Sequence, residues 1–198
     1  MTEVLLLLSG GVDSTALAAL DRPAVGLTID YGQRPAAGES RAAAAIASRL
    51  SFEHRTISVN ASDVGAGLLH SESTVARAGA PETWPFRNQL LLTLASAYAT
   101  MHGFDEVHLG SVRGDGDRHR DGTGNFYALA DSLVSFQEGN IRVRAPAVDM
   151  DPLELLERSG LGPDVVALTH SCHRASLACG QCPGCWKRAQ LWSDRGWT

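Results

Sequence analysis

The chain has 198 residues, 44% hydrophobic and 20% charged, with a formal net charge of -5. That composition describes one ordinary globular domain, or one domain with a small appendage, long enough to bury a sizeable core. It excludes a dedicated nucleic-acid binder with a broad basic face; no apolar run approaches the ~20 residues that span a bilayer, and no N-terminal segment follows signal-peptide order, so a cytoplasmic protein without membrane or direct nucleic-acid partners is expected.

Five apolar residues, Val4 to Leu8, run into Ser9-Gly10-Gly11-Val12-Asp13-Ser14, and good helix formers follow from Thr15 to Leu20. This predicts strand, tight turn and helix. In an open parallel sheet, ligands bind at such a strand's carboxyl end. Gly10 and Gly11 let the backbone approach a ligand closely. The amides that open the helix have no partner within it and can hold an anion, with Ser9 and Ser14 adding hydroxyls. The pattern reads as a phosphate cradle without the lysine of a GxxxxGK[ST] loop. The alternative is a βα turn that is glycine-rich for steric reasons alone.

Ala24 to Asp30 reads as a second strand ending in the polar turn Asp30-Tyr31-Gly32-Gln33-Arg34-Pro35. Residues 39–50 read as a helix and 53–59 as a third strand. The alternation predicts right-handed crossovers and a parallel sheet. Asp30 at a strand end suits a ribose hydroxyl, or is simply a solvated turn carboxylate. Residues 60–83 read as a long loop with one short helix.

Pro85-Phe86-Arg87-Asn88 precedes an apolar helix from Gln89 to Met101. Arg87 and Asn88 are either substrate contacts or a surface charge and a helix cap. Glu106 to Gly110 reads as the fourth strand, and residues 111–124 as a charged, flexible loop carrying Arg113, Asp115, Asp117, Arg118 and Asp121. That loop is a surface excursion or part of an active site, and its position favours the site. Residues 125–137 read as helix, Ile141 to Ala145 as the fifth strand, and Pro152 to Arg158 as the start of another helix.

Cys172-x6-Cys179-x2-Cys182-x2-Cys185 holds every cysteine of the chain. Four thiolates suit tetrahedral zinc with Zn–S near ~2.3 Å, and a closed set of four leaves no position for substrate, so the site is structural. An iron–sulfur cluster is the rival reading. The helix that follows, Trp186 to Trp192, is expected to pack the knuckle onto the sheet.

Ser9 to Ser14 resembles the SGGxDS pyrophosphate loop of the ATP pyrophosphatase superfamily. Asp30 to Arg34 is similar to a DYGQR stretch, Arg87-Asn88 to the end of a PGRN segment, and the four cysteines with Arg188 to a zinc tail. In this order they resemble the 7-cyano-7-deazaguanine synthase (QueC) family over nearly the whole chain. The resemblance implies an α/β fold: a Rossmann-like parallel five-stranded sheet with helices on both faces over 1–160, and a four-cysteine zinc tail over 161–198.

It also implies a ligase. Carboxylate adenylation of 7-carboxy-7-deazaguanine by ATP and Mg²⁺ is followed by attack of ammonia and dehydration to the nitrile, in a homodimer. The expected nucleotide-binding set is Ser9, Gly10, Gly11, Val12, Asp13, Ser14, Asp30, Gln33, Arg34 and Gly110. The expected substrate set is Phe86, Arg87, Asn88, Arg113 and Arg118. Asp13, Asp115, Asp117 and Asp121 are the expected catalytic carboxylates, and Cys172, Cys179, Cys182 and Cys185 the Zn²⁺ ligands.

Two departures stand out. A family lysine expected near position 152 is replaced by Pro152, which leaves Arg34, Arg113 or Arg118 to compensate phosphate charge. The fourth loop keeps Asp115 and Asp121 but replaces the residues between them, and Asp117 adds a carboxylate suited to a cationic amine. This motivates a second expectation: an antiphage-type variant, such as those of type IV CBASS, that joins the deazaguanine to a protein amine. A non-catalytic nucleotide-binding module is the third, and tRNA thiolation or glutamine-dependent synthesis the least favoured.

Overall fold

Val4–Leu7 forms β1, and its side-chain alternation decides the architecture. Leu5 enters an apolar cluster with Leu92, Ala95 and Ala99 of α3 (Arg87–His102). Leu6 and Leu8 enter another, with Leu17 and Ala18 of α1 (Val12–Asp21) and Ala43 of α2 (Ala36–Leu50). A strand buried on both faces needs helices on both sides, which is the condition of a parallel α/β sheet. The structure, a computed structural model, describes residues 2–71 and 80–197.

β2 (Val25–Asp30) and β4 (Glu106–Leu109) flank β1, with β3 (Glu53–Ser58) and β5 (Arg142–Arg144) at the edges. The order among the described residues is β3-β2-β1-β4-β5, and every pairing is parallel. The chain builds outward from β1 through β2 to β3, then returns to the other side of β1. The carboxyl ends of β1 and β4 therefore diverge into a crevice, the switch point of the sheet. The polar edge strand β3, with Glu53 and Arg55 exposed and paired to each other, discourages pairing with another chain.

The short elements follow local chemistry. Thr123 caps α5 (Gly124–Ser135) by accepting from the Phe126 amide at 3.2 Å. Asp151 caps α6 (Pro152–Ser159) through the Leu153 amide at 2.9 Å, with Pro152 in the first turn, where its missing N–H costs nothing. A third apolar cluster joins Val12 and Ala16 of α1, Leu155 and Leu156 of α6, Val165 and Val166 of α7 (Pro163–Val166) and Leu191 of α8 (Pro183–Asp194). The C-terminal segment thus packs on the helical layer outside the sheet, not on the sheet itself. No helix among the described residues is long and apolar enough to cross a membrane.

One segment differs from the sequence reading. The charged stretch 111–124 is ordered into α4 (Asp115–Arg118) and a 3-10 turn at Arg120–Gly122. Asp115 causes this: its carboxylate accepts from the Val112 amide at 3.1 Å and its carbonyl from the His119 amide at 2.9 Å. In the expected 60–83 loop, the described part carries a 3-10 turn at Ser62–Val64, and residues 72–79 lie outside the described residues.

Away from the crevice, buried His108 of β4 bonds Asp21 at 2.7 Å and Glu106 at 2.9 Å. Burial works against its charge, but the two carboxylates prevail and hold its pKa above the ordinary value. Stability from a raised histidine is fully present below the unfolded pKa of about 6.5 and fades as pH rises through the higher folded value. His108→Gln is therefore expected to lower stability by on the order of 2 kcal/mol at pH 6. In urea titrations the deficit should shrink at pH 9, and a pH-independent deficit would contradict the assignment.

Candidate functional site

The β1–α1 corner closes around two glycines that no other residue replaces without a shift. Gly10 has φ +75°, and a Cβ there would stand 2.8 Å from the Ala42 Cβ and the Glu39 carbonyl oxygen. Gly110, just past β4, would place a Cβ 2.8 Å from the Ser14 Cα and 2.9 Å from its nitrogen. The end of β4 therefore lies against the opening turn of α1. The first bond inside α1 runs from the Thr15 amide to the Gly11 carbonyl, so the amides of Val12, Asp13 and Ser14 have no partner within the helix. The Ser9 and Ser14 hydroxyls lie 3.1 Å apart beside them. From the far end of the chain, the His170 amide donates to the Gly10 carbonyl at 2.8 Å.

This corner opens into a cavity of about 440 Å³, within the range of small-molecule sites. Ser9, Gly11, Val12, Asp13, Ser14 and Gly110 line one end. Arg87, Asn88, Asp115 and Arg118, all expected from the sequence, line other walls. Asn88 is no helix cap: its side-chain amide donates to the Asp121 carbonyl at 2.7 Å, and its backbone amide to the Asp121 carboxylate at 3.1 Å. Asp121 thus supports the wall from behind. Arg118 forks onto buried Glu82 at 2.8 and 3.0 Å, and His119 joins at 3.2 Å. Burial alone would raise the Glu82 pKa, but these donors hold it down at about 2.

Other expected residues do not line the cavity. Gly10 contributes its turn and not a surface. Asp30 folds back to accept from the Gly32 amide at 3.0 Å. Gln33 is 3% exposed and fully used inside, bonding the Tyr31 amide, the Ile29 carbonyl and Glu39. Arg34, Phe86, Arg113 and Asp117 are exposed. Phe86 adopts φ +55° and is 77% exposed. Arg113 is tied to the Asp149 carbonyl. Of the three arginines expected to compensate phosphate charge, only Arg118 reaches the cavity, and its charge is taken by Glu82.

Two groups at the site escape the sequence reading. Glu39 of α2 lines the cavity, and burial, opposed by the Gln33 amide donor at 2.8 Å, pushes its pKa up to about 7. Lys187 of α8 also lines it. Its Nζ sits 2.8 Å from Asp13 Oδ2 and 3.7 Å from Asp115 Oδ1. Burial raises the Asp13 pKa against the pull of Lys187, and its Oδ1 is buried without a hydrogen-bond partner. One signal was present in the sequence: Lys187 is the only lysine, beside 16 arginines.

The cysteines converge where α8 begins. The four sulfurs lie within 4.8 Å of one another, with Cys179–Cys185 and Cys172–Cys182 each at 4.0 Å. A tetrahedron of ~2.3 Å bonds has edges of about 3.8 Å, so the set is sized for a thiophilic metal. The amides of His173, Arg174 and Gln181 donate to Cys182, Cys172 and Cys179 at 3.3 to 3.5 Å, stabilising thiolate charge. Arg188 anchors the following turn through the Thr169 hydroxyl at 2.9 Å and the Val166 carbonyl at 3.1 Å.

Known proteins agree with this layout. A solved U34-tRNA thiolase from Methanococcus maripaludis, carrying a [4Fe-4S] cluster, superposes with a TM-score of 0.55 over 98% of this chain and 64% of its own, at 15% identity. A predicted tRNA methyltransferase subunit from Methanocaldococcus jannaschii does so with a TM-score of 0.53 over 81% and 76%, at 19% identity. Identities this low speak for the fold alone. Sequence relatives are nearer. The 7-cyano-7-deazaguanine synthase of Thiobacillus denitrificans is 33% identical over 91% of this chain and 89% of its own length. That of Xanthomonas euvesicatoria is 31% identical over 99% and 95%. The family model described as queuosine biosynthesis protein QueC matches residues 3–196, and with the phosphate-type corner, the cavity and the four-sulfur cluster all in place, the chain belongs to the QueC family.

Proposed function

We propose that the chain uses ATP to activate the carboxylate of 7-carboxy-7-deazaguanine and transfers the acyl group to ammonia, ending at the 7-cyano product. The carrying observation is the β1–α1 corner: three helix-opening amides and two hydroxyls beside a cavity of small-molecule size, in a member of this family. A carboxylate repels nucleophiles, so one of its oxygens must first acquire a leaving group. The oxygen attacks the α-phosphorus of ATP, the bond to the bridging oxygen breaks, and pyrophosphate departs with the electron pair. The amides of Val12, Asp13 and Ser14 face the charge that grows on the pyrophosphate. Ammonia then displaces AMP to give the amide. In a second round the amide oxygen attacks the α-phosphorus of another ATP and expels pyrophosphate; the C–O bond then breaks, the oxygen leaves with AMP, and the nitrogen gives up its two protons as the nitrile forms.

The walls divide the remaining work. Arg87 and Asn88, held by Asp121, suit the planar polar base, and Arg118 and His119 fix the Glu82 carboxylate at the same end. Asp115 and the unpartnered Asp13 oxygen form a hard-oxygen pair that fits Mg²⁺, which when bound neutralises phosphate charge. The cysteine set fits Zn²⁺ and holds α8 against the cavity.

Incubated with ATP, Mg²⁺, 7-carboxy-7-deazaguanine and ammonium, the purified protein is expected to yield AMP, pyrophosphate and the nitrile by mass spectrometry. Pyrophosphate release with the acyl group found only on protein amines would replace ammonia by a protein acceptor, and no release with either would refute the ligase reading. Gly110→Ala, which pushes on the Ser14 backbone, is expected to weaken ATP binding on the order of tenfold while the metal content stays at wild-type level. Elemental analysis should find one zinc per chain, and chelation should lower Tm by on the order of 10 °C and abolish turnover.

A further inference from the structure

The ion pair between Lys187 and the phosphate-type corner is not explained by stability. The Lys187 side chain is 37% exposed and that of Asp13 23%, and a partly exposed pair contributes little to folding. Nor does general use of lysine account for it, because every other cation of Arg or Lys type in the chain is arginine. The one compact ammonium, which holds three donors on a flexible stem, stands beside Ser9–Ser14.

The local charge balance is informative. Asp13 and Asp115 carry two negative charges against the single positive charge of Lys187, and Asp13 Oδ1 is buried without a partner. A cradle with a net negative charge repels a free triphosphate. It would accept one that arrives with a divalent cation, because Asp13 and Asp115 could hold the metal and leave the Lys187 ammonium to the phosphates. That donor lies next to the helix-opening amides. Among the other cationic side chains lining the cavity, Arg118 is engaged by Glu82, and Arg87 lies among Tyr31, Asp121 and Glu39.

We propose that Lys187 is the phosphate-contacting cation of this site: it is held beside the helix-opening amides by Asp13 and Asp115, and would bond the ATP phosphates where Mg²⁺ engages those carboxylates. This rests on the reading that ATP occupies the Ser9–Ser14 corner. Lys187 keeps its proton throughout: its N–H groups bond non-bridging phosphate oxygens while the bond from the α-phosphorus to the bridging oxygen breaks and pyrophosphate carries off the pair. Lys187 lies two residues beyond Cys185 on α8, so the four-sulfur knuckle sets where the ammonium sits.

A chain with a single lysine permits a direct test. An acyl-phosphate derivative of ATP carrying an affinity tag acylates an amine beside its phosphate chain: the amine nitrogen attacks the acyl carbon, the carbon–oxygen bond breaks, and ATP leaves. With the wild-type protein, peptide mass spectrometry is expected to find the tag on Lys187, suppressed more than tenfold by excess ATP and Mg²⁺. Lys187→Met should cut pyrophosphate release about a hundredfold, with Lys187→Arg in between and zinc content at wild-type level in both. If wild-type protein binds ATP but carries no ATP-protected tag at Lys187, or if Lys187→Met turns over like wild type, the proposal is overturned while the ligase reading stands. If the wild-type protein neither binds ATP nor releases pyrophosphate, both fall together.

Discussion

Everything at this site depends on three backbone segments meeting the end of β1 at contact distance. Gly110 brings the end of β4 against Ser14, α2 presses its Glu39 carbonyl and Ala42 onto Gly10, and the His170 amide closes on the Gly10 carbonyl. Each contact excludes a Cβ or consumes a backbone group, so the opening amides of α1 are left as the free polar groups of the corner. Close packing keeps those amides aimed at one point in space, and a fixed array of donors stabilises developing charge without reorganising.

The electrostatics run opposite to those of a simple anion site. The helix opening favours negative charge, yet Asp13 sits in its first turn and Asp115 stands beside it, with Lys187 between them. An acidic pair in an anion cradle makes physical sense if the ligand brings its own cation. On the proposed reading, the same two carboxylates would disfavour a metal-free phosphate chain and favour a nucleotide that arrives with its metal. Glu39, raised to about 7 by burial, carries only part of a negative charge at neutral pH and so weighs less in that balance than an ordinary carboxylate would.

What the sequence made legible was local. The five strands, the parallel alternation and the crevice at β1 follow from short apolar runs and a glycine-rich turn, which fix backbone direction without reference to the rest of the chain. The cysteine tetrad was legible for the same reason: its four ligands lie within 14 residues. What stayed hidden depends on distant partners. Asn88 reads as a cap until Asp121, 33 positions on, takes its donors. Gln33 is expected from the polar turn and the resemblance to meet nucleotide, but it is buried and bonds Ile29 and Glu39 instead. The stretch 111–124 reads as flexible because charge is usually solvated, but Asp115 spends its carboxylate on the Val112 amide and winds the chain into a helical turn. Lys187 lies 174 positions from Asp13, and no window of sequence contains both.

The C-terminal tail therefore has three attachments that a detachable metal knuckle would not need. Leu191 enters the apolar layer of α1 and α6, Arg188 grips α7 through Thr169 and Val166, and His170 holds the Gly10 carbonyl. Two of these attachments reach the helix and the corner proposed to hold phosphate. A metal that closes Cys172 to Cys185 fixes the first turn of α8, and rigid helix geometry then dictates the position of the side chain at 187 to within the reach of one lysine stem. Without a metal there, that turn would be freer while Leu191 and Arg188 still held the helix, so the placement of the Lys187 charge would suffer before the sheet or the cavity did.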